Sequence, residues 1–251
     1  MSRRITVVVA VLIVFVSSCA PPPPIGKATL SNYRLITTMR RDQFRSAAFL
    51  IDLRINDAGK KYSVTTELYF SGDSIGVYGR GYLGKGTFKG NIIDDVAMIY
   101  FSSPDEYYTA PLSDRGDVGV GCDTPGEVFL SVLSLLAGKE AVRKSDNIVY
   151  PSGHDLEFVT GRFDRTVRVN GDGFPETEKF IDSACGDSIV FDYYMFNREF
   201  PFYRTTALLY YNWQKDFRVR GFIREQQYNI AIPEKKFTVD IPPTAKRLDS
   251  L

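Results

Sequence analysis

The chain has 251 residues, 44% hydrophobic and 24% charged, a composition that excludes a wholly disordered, collagenous or multi-pass membrane protein and leaves one domain or at most two. Lys+Arg 31 against Asp+Glu 30 gives no global field that would draw it onto nucleic acid. One histidine, His154, and three cysteines remove most catalytic zinc, Cys/His and Ser/His/Asp arrangements, which need several such ligands or a positioned imidazole.

Arg3 and Arg4 precede an apolar run, Ile5 to Val16, too short to cross a bilayer core of roughly 30 Å as a mature helix. The run ends in Val16-Ser17-Ser18-Cys19, which resembles the lipobox at which bacterial lipoprotein precursors are acylated and cleaved. Residues 1–18 are then a signal peptide and Cys19 the lipidated first residue; an ordinary secretory signal with an incidental cysteine is the alternative. Pro21 to Pro24 favour an extended polyproline spacer, so 19–28 read as tether and 29–251 as one folded domain. Ala20 follows the cysteine where enteric inner-membrane lipoproteins carry Asp, which points to the outer membrane.

A weak helical spacing of Tyr33, Leu35, Ile36 and Met39 predicts a helix over about Ser31 to Arg41. From Phe49 the apolar residues fall at every second position (Phe49, Ile51, Leu53, Ile55, then Tyr62, Val64, Leu68 and Phe70), the period of half-buried strands. Asn56-Asp57-Ala58-Gly59 and Ser71-Gly72-Asp73 punctuate them as hairpin turns. Gly79 to Gly86 satisfies G-x-G-x-x-G. Gly86, however, stands where a P-loop needs Ser or Thr, and Thr87 to Ile92 reads as extended chain with no helix to receive phosphate. Asp94, Asp95, Asp105 and Glu106 read as turn and edge residues rather than a calcium or acid/base site, and no metal site is expected.

Thr124 to Ala137 is the strongest helix signal. Thr124 and Glu127 make a capping box, Pro125 fills the first turn, an apolar stripe includes Phe129, Val132, Leu133 and Leu136, and Gly138 supplies a stop. Cys122 and Cys185 could pair after export or remain two separately buried thiols. Alternation returns in Val159 to Val169, where Phe163, Val167 and Val169 oppose Arg162, Asp164, Thr166 and Arg168, and again in Phe217, Val219 and Ile223. The reading is one mainly β, curved antiparallel sheet with an interrupting helix.

The lipobox, the long run of antiparallel strands, the mid-chain apolar helix and the closing Phe237-Thr238-Val239-Asp240-Ile241-Pro242-Pro243 together resemble the LolA/LolB superfamily, closest to its LolB-like branch and related outer-membrane lipoproteins. The resemblance implies an incomplete antiparallel β-barrel of about eleven strands whose concave apolar face lies under a helical lid and receives acyl chains. Phe129, Val132, Leu133 and Leu136 would line that cavity; a helix that merely fills the barrel as core is the alternative. Tyr82-Leu83-Gly84 lies where LolB-like receptors carry a protruding membrane-insertion loop, with Tyr82 in place of a proline. Leu83 is then the inserting residue or, alternatively, the buried tip of a tight hairpin.

The implied function is non-catalytic and needs no cofactor: a lipid-anchored outer-membrane protein, facing the periplasm, that binds acyl chains of lipoproteins or other lipids and assists their delivery. Its partners would be lipid, the membrane through Cys19 and a periplasmic carrier protein. The alternative is a structural or interaction lipoprotein of the envelope that keeps the fold without ligand transfer.

Overall fold

The computed structural model describes residues 27–81, 86–94, 96–111, 147–149, 155–160, 163–182, 186–196, 203–212 and 216–248. Helix α1 spans Lys27–Gln43. It is followed by β1 (Ser46–Asp57), β2 (Lys60–Ser71), β3 (Ser74–Arg80), β4 (Thr87–Ile93), β5 (Val96–Phe101) and β6 (Glu106–Pro111). A second series holds β7 (Asn147–Val149), β8 (Asp155–Thr160), β9 (Phe163–Val169), β10 (Pro175–Asp182), β11 (Ser188–Phe196), β12 (Tyr203–Asn212) and β13 (Phe217–Tyr228). A 3-10 turn at Glu234–Lys236 leads to β14 (Lys246–Arg247).

Among the described residues fourteen strands form one sheet, ordered β14-β6-β5-β4-β3-β2-β1-β13-β12-β11-β10-β9-β8-β7. Two antiparallel meanders thus lie side by side, joined where β1 pairs β13, and β14 adds in parallel to β6. The sheet is open and curved rather than a closed barrel. The resemblance implies about eleven strands; β7 and β14, with three and two residues, are two of the additional ones.

The local chemistry explains the hairpins. Ala58 (φ 46°) and Gly59 (φ 86°) both adopt left-handed backbone between β1 and β2, as a two-residue type I′ turn requires. Gly72 (φ 55°) takes that role alone between β2 and β3. Asp94 (φ 48°) and Asp105 (φ 53°) also lie in turns, a conformation that Asp tolerates better than most residues. Helix α1 runs from Lys27 to Gln43, four residues earlier and two later than its weak period suggests, and buries Leu30, Tyr33, Ile36 and Arg40 on one side.

The residues that follow β13 cross the outer face of β2 to β4. The Ser46 hydroxyl donates to the Ile230 carbonyl (2.6 Å), and the Asn91 side chain donates to the Phe237 carbonyl (2.7 Å). Phe237 is buried against Gly76, where an added Cβ would lie 2.2 Å from the Lys236 carbonyl oxygen. Lys236 Nζ donates to Glu67 (3.1 Å) and Tyr69 (2.7 Å) and sits 4.4 Å from the Tyr69 ring centre. The F-x-x-x-I-P ending is therefore a strap. Its aromatic residue works because β3 offers no side chain at Gly76.

Candidate functional site

The strand registers define one inner face. A single row crosses eight strands through Val64, Leu53, Gly221, Leu208, Phe191, Glu178, Val167 and Leu156. Around it a contiguous cluster of buried apolar side chains includes Phe49, Ile51, Phe70, Val77, Phe88, Ile99, Phe180, Ile189 and Phe217. Aromatic edges fill this face: Phe49 meets Phe70 and Tyr228 in edge-on contacts, and Phe180 meets Phe191 likewise at 6.2 Å.

Helix α1 lies on the same face over β8 to β11. Leu30 and Tyr33 join Leu156, Val167 and Val169 in one buried cluster, while Ile36 packs on Phe174. The approach is close because Gly173, at the β9–β10 turn, has no side chain. A Cβ there would lie 2.7 Å from the Thr29 carbonyl oxygen and 2.8 Å from the Tyr33 nitrogen. The turn itself is braced by the Asn170 side chain, which accepts from the Asp172 and Phe174 amides at 3.0 Å each.

Beneath the helix the apolar row is broken by charge. Arg165 of β9 donates through Nε to Glu178 of β10 (2.6 Å) and through Nη2 to the same carboxylate and to the Tyr33 hydroxyl (3.4 Å). Tyr193 of β11 donates to the second Glu178 oxygen (2.5 Å), and the guanidinium lies 5.3 Å from the Phe180 ring centre. Both charged side chains are buried. Burial by itself disfavours the Arg165 cation, but the adjoining Glu178 carboxylate and the Tyr33 oxygen outweigh it and hold Arg165 more firmly protonated than usual. A buried pair of this kind fixes which residues meet more than it adds stability. Here it ties β9, β10, β11 and α1 to one register.

The site residues expected from sequence fall outside the described residues: Cys19, Tyr82, Leu83, Cys122, Phe129, Val132, Leu133, Leu136 and Cys185. The frame of the Tyr82–Leu83 loop is nevertheless clear. It joins β3 to β4, with Gly81 (φ 89°) and Gly86 (φ 76°) in left-handed backbone and the Gly81 amide donating to the Gly86 carbonyl at 2.7 Å. Antiparallel strands on both sides exclude the P-loop reading, which needs a following helix. The Arg165–Glu178 pair is absent from the sequence reading, yet a signal exists. Arg165 is in phase with Phe163, Val167 and Val169, and Glu178 is in phase with Phe180, so each charge stands at an apolar position of its strand.

No protein-family model and no curated protein matches the chain. Solved structures do. A domain assigned to outer-membrane lipoprotein sorting from Vibrio parahaemolyticus superposes with a TM-score of 0.53 at 13% identity, covering 81% of this chain and 95% of that one. A LolA superfamily protein from Nitrosomonas europaea gives 0.51 at 12% identity, covering 84% and 97%. A DUF1329 family protein from Desulfovibrio piger gives 0.52 at 11% identity, covering 85% and 98%. With an open antiparallel sheet, an apolar inner face and a helix laid across part of it, the chain has a LolA-like fold.

Proposed function

We propose that the protein is a lipid-anchored envelope protein that takes acyl chains of lipoproteins, or of another lipid, onto its inner face and assists their delivery to the outer membrane. The observation that carries this reading is the apolar inner face of a LolA-like sheet, with α1 laid over its β8 to β11 end. Burial of methylenes supplies the affinity, at roughly 25 cal/mol per Å² before entropic costs, and no covalent step is involved. The protein acts as a binder and not as an enzyme. Cys19 holds it to the membrane, and a periplasmic carrier supplies the cargo.

The test is mass spectrometry of lipid extracted from protein purified without detergent, followed by displacement with a fluorescent fatty acid. Bound acyl lipid, lost when inner-face Val77 is changed to Asp, is expected; protein that carries none and takes up none overturns the reading. Leu83→Glu should leave the melting temperature unchanged and impair transfer of cargo to vesicles, and unchanged transfer removes Leu83 from the delivery step. The dense aromatic packing of Phe49, Phe70 and Tyr228 favours a second reading, a structural or interaction lipoprotein with a filled interior. One stoichiometric envelope protein captured with no lipid bound would select it.

A further inference from the structure

The outer face of β1 and β13 carries an arrangement of charge that folding does not require. Arg54 and Arg220 stand directly opposite each other across the two strands. Like charges so placed destabilise a sheet. Both guanidiniums lie against the ring of Phe222, 5.3 and 4.9 Å from its centre, which offsets part of that cost. Among the described residues neither is paired with a carboxylate. Asp52, two residues before Arg54 on the same strand, is taken by the Thr65 hydroxyl (3.0 Å) and by Arg224 Nε (3.6 Å).

The register extends the patch. Asn56 has Arg218 on one side and Lys61 on the other, so the outward positions of β1, the adjoining part of β2 and β13 hold Arg54, Lys61, Arg218, Arg220 and Arg224 against Asp52, Glu225 and Glu67, the last already held by Lys236. The five cations are exposed. The whole chain is almost neutral, 31 basic against 30 acidic residues, so this face concentrates positive charge that the composition does not supply in excess.

A planar guanidinium offers a fork of donors that matches the oxygens of phosphate, and two forks held on one ring present a fixed pair of them. The cations spread over the outer side of a sheet rather than converging in a pocket, which suits a surface rich in phosphate and not a single small ion. We infer that the outer face of β1 and β13, centred on Arg54, Phe222 and Arg220, docks the domain onto an anionic phospholipid bilayer. The sequence places such a bilayer within reach: only seven residues, four of them proline, separate Cys19 from Lys27 at the start of α1. That proximity rests on the lipid-anchor reading; the docking itself does not depend on any cargo. Salt should weaken it, since exposed charges are screened over about 8 Å at physiological ionic strength.

The experiment uses the full chain carrying Cys19→Ser, which removes the acyl anchor, and measures its partition onto phosphatidylcholine vesicles with and without phosphatidylglycerol. The apolar N-terminal run contributes equally to every variant compared. Binding that favours phosphatidylglycerol, falls with salt and drops at least about tenfold in Arg54→Glu/Arg220→Glu is expected, given roughly fivefold per cation near an anionic surface. The double glutamate variant still sets like charges across the two strands, so its melting temperature is measured alongside to show that the fold survives. Should that variant fail to fold, Arg54→Gln/Arg220→Gln carries the same expectation. No preference for phosphatidylglycerol, or equal binding by the variants, overturns the proposal. So does an acidic envelope protein captured by Arg54 and Arg220 in the absence of vesicle binding. Acyl-lipid extraction from the same variants is read separately, so loss of docking and loss of cargo are distinguishable.

Discussion

From β1 to β4 the sheet is strapped on its outer face by chain that follows β13, whereas from β8 to β11 it is covered on its inner face by α1. Both covers settle onto a glycine, Gly76 under the strap and Gly173 under the helix. They differ in how charge is treated. The Lys236–Glu67 pair under the strap keeps about a third of each side chain exposed, 34% and 38%. Arg165 and Glu178 keep 8% and 7%. The strap can therefore leave and return with its charges already hydrated, while displacing α1 uncovers a pair that has exchanged water for Tyr33 and Tyr193. One cover is a fastening, and the other holds a polar register inside an apolar face.

The largest effect should come from breaking the hidden pair. Arg165→Ala strands the Glu178 carboxylate and is expected to cost about 3–5 kcal/mol in urea unfolding, with much of it recovered in Arg165→Met/Glu178→Leu. A loss under ~1 kcal/mol would mean that water reaches the pair and that α1 does not seal it.

Gly173→Ala and Gly76→Ala come next, each about 1–3 kcal/mol from forced displacement of backbone. Gly173→Ala should cost more, because its φ of +86° adds strain to the overlap. Hydrogen exchange separates the two: the first should loosen α1 and leave the strap protected, the second the reverse. Identical protection patterns would mean that the two covers move as one.

The third way to sharpen the contrast is pH. The Tyr69 hydroxyl, then the Lys236 ammonium, hold the Glu67 carboxyl below its usual range against the opposing effect of burial. Its contribution is present above the ordinary glutamate value and is lost as pH falls through the lowered one. Burial, with the Glu67 carboxylate beside it, pushes Tyr69 up, and the hydrogen bond to Tyr69 leads the causes that raise Lys236 despite burial. Their contributions are present below the ordinary tyrosine and lysine values and are lost as pH rises through the raised ones. Proteolysis of the strap should accelerate at both acid and alkaline extremes, and Lys236→Met should weaken both dependences.

The smallest effect belongs to Arg168, three residues from Arg165 and on the opposite face of β9. It meets Asp155 at 2.9 Å with 60% of its side chain exposed, so Arg168→Ala should change stability by less than about 1 kcal/mol. Equal costs for Arg165→Ala and Arg168→Ala would erase the distinction between the faces.

The first meander is legible in the sequence because its determinants are local. Phe49 to Ile55 and Val64 to Phe70 alternate in phase with burial, and Asn56 to Gly59 carries its own turn chemistry. Pairing of β1 with β13 is not local: it is decided only when both meanders exist, and no residue in either strand encodes its distant partner. The strap is half legible. Its closing Phe237 to Pro243 stretch stands out, but its seat at Gly76 needs the third dimension. Of the inner-face charges, Arg165 and Glu178 violate the apolar phase of their strands, and the violation has meaning only when β9 and β10 are set side by side. Arg54 and Arg220 are hidden from a linear reading for the same reason, since each alone is an ordinary outward cation.

The two-residue β14 has an effect out of proportion to its length. The Lys246 and Leu248 amides donate to the Asp105 and Tyr107 carbonyls (2.9 and 2.7 Å), so hydrogen-bonding groups along the rim of β6 are occupied. Lys246 and Arg247 then turn two cations outward on the last strand. A rim left bare would be a template for strand addition from neighbouring copies, and charge at a terminal strand is a common deterrent to it. Proteolytic nicking before Lys246 would thus bare the β6 rim to edge-to-edge pairing between copies.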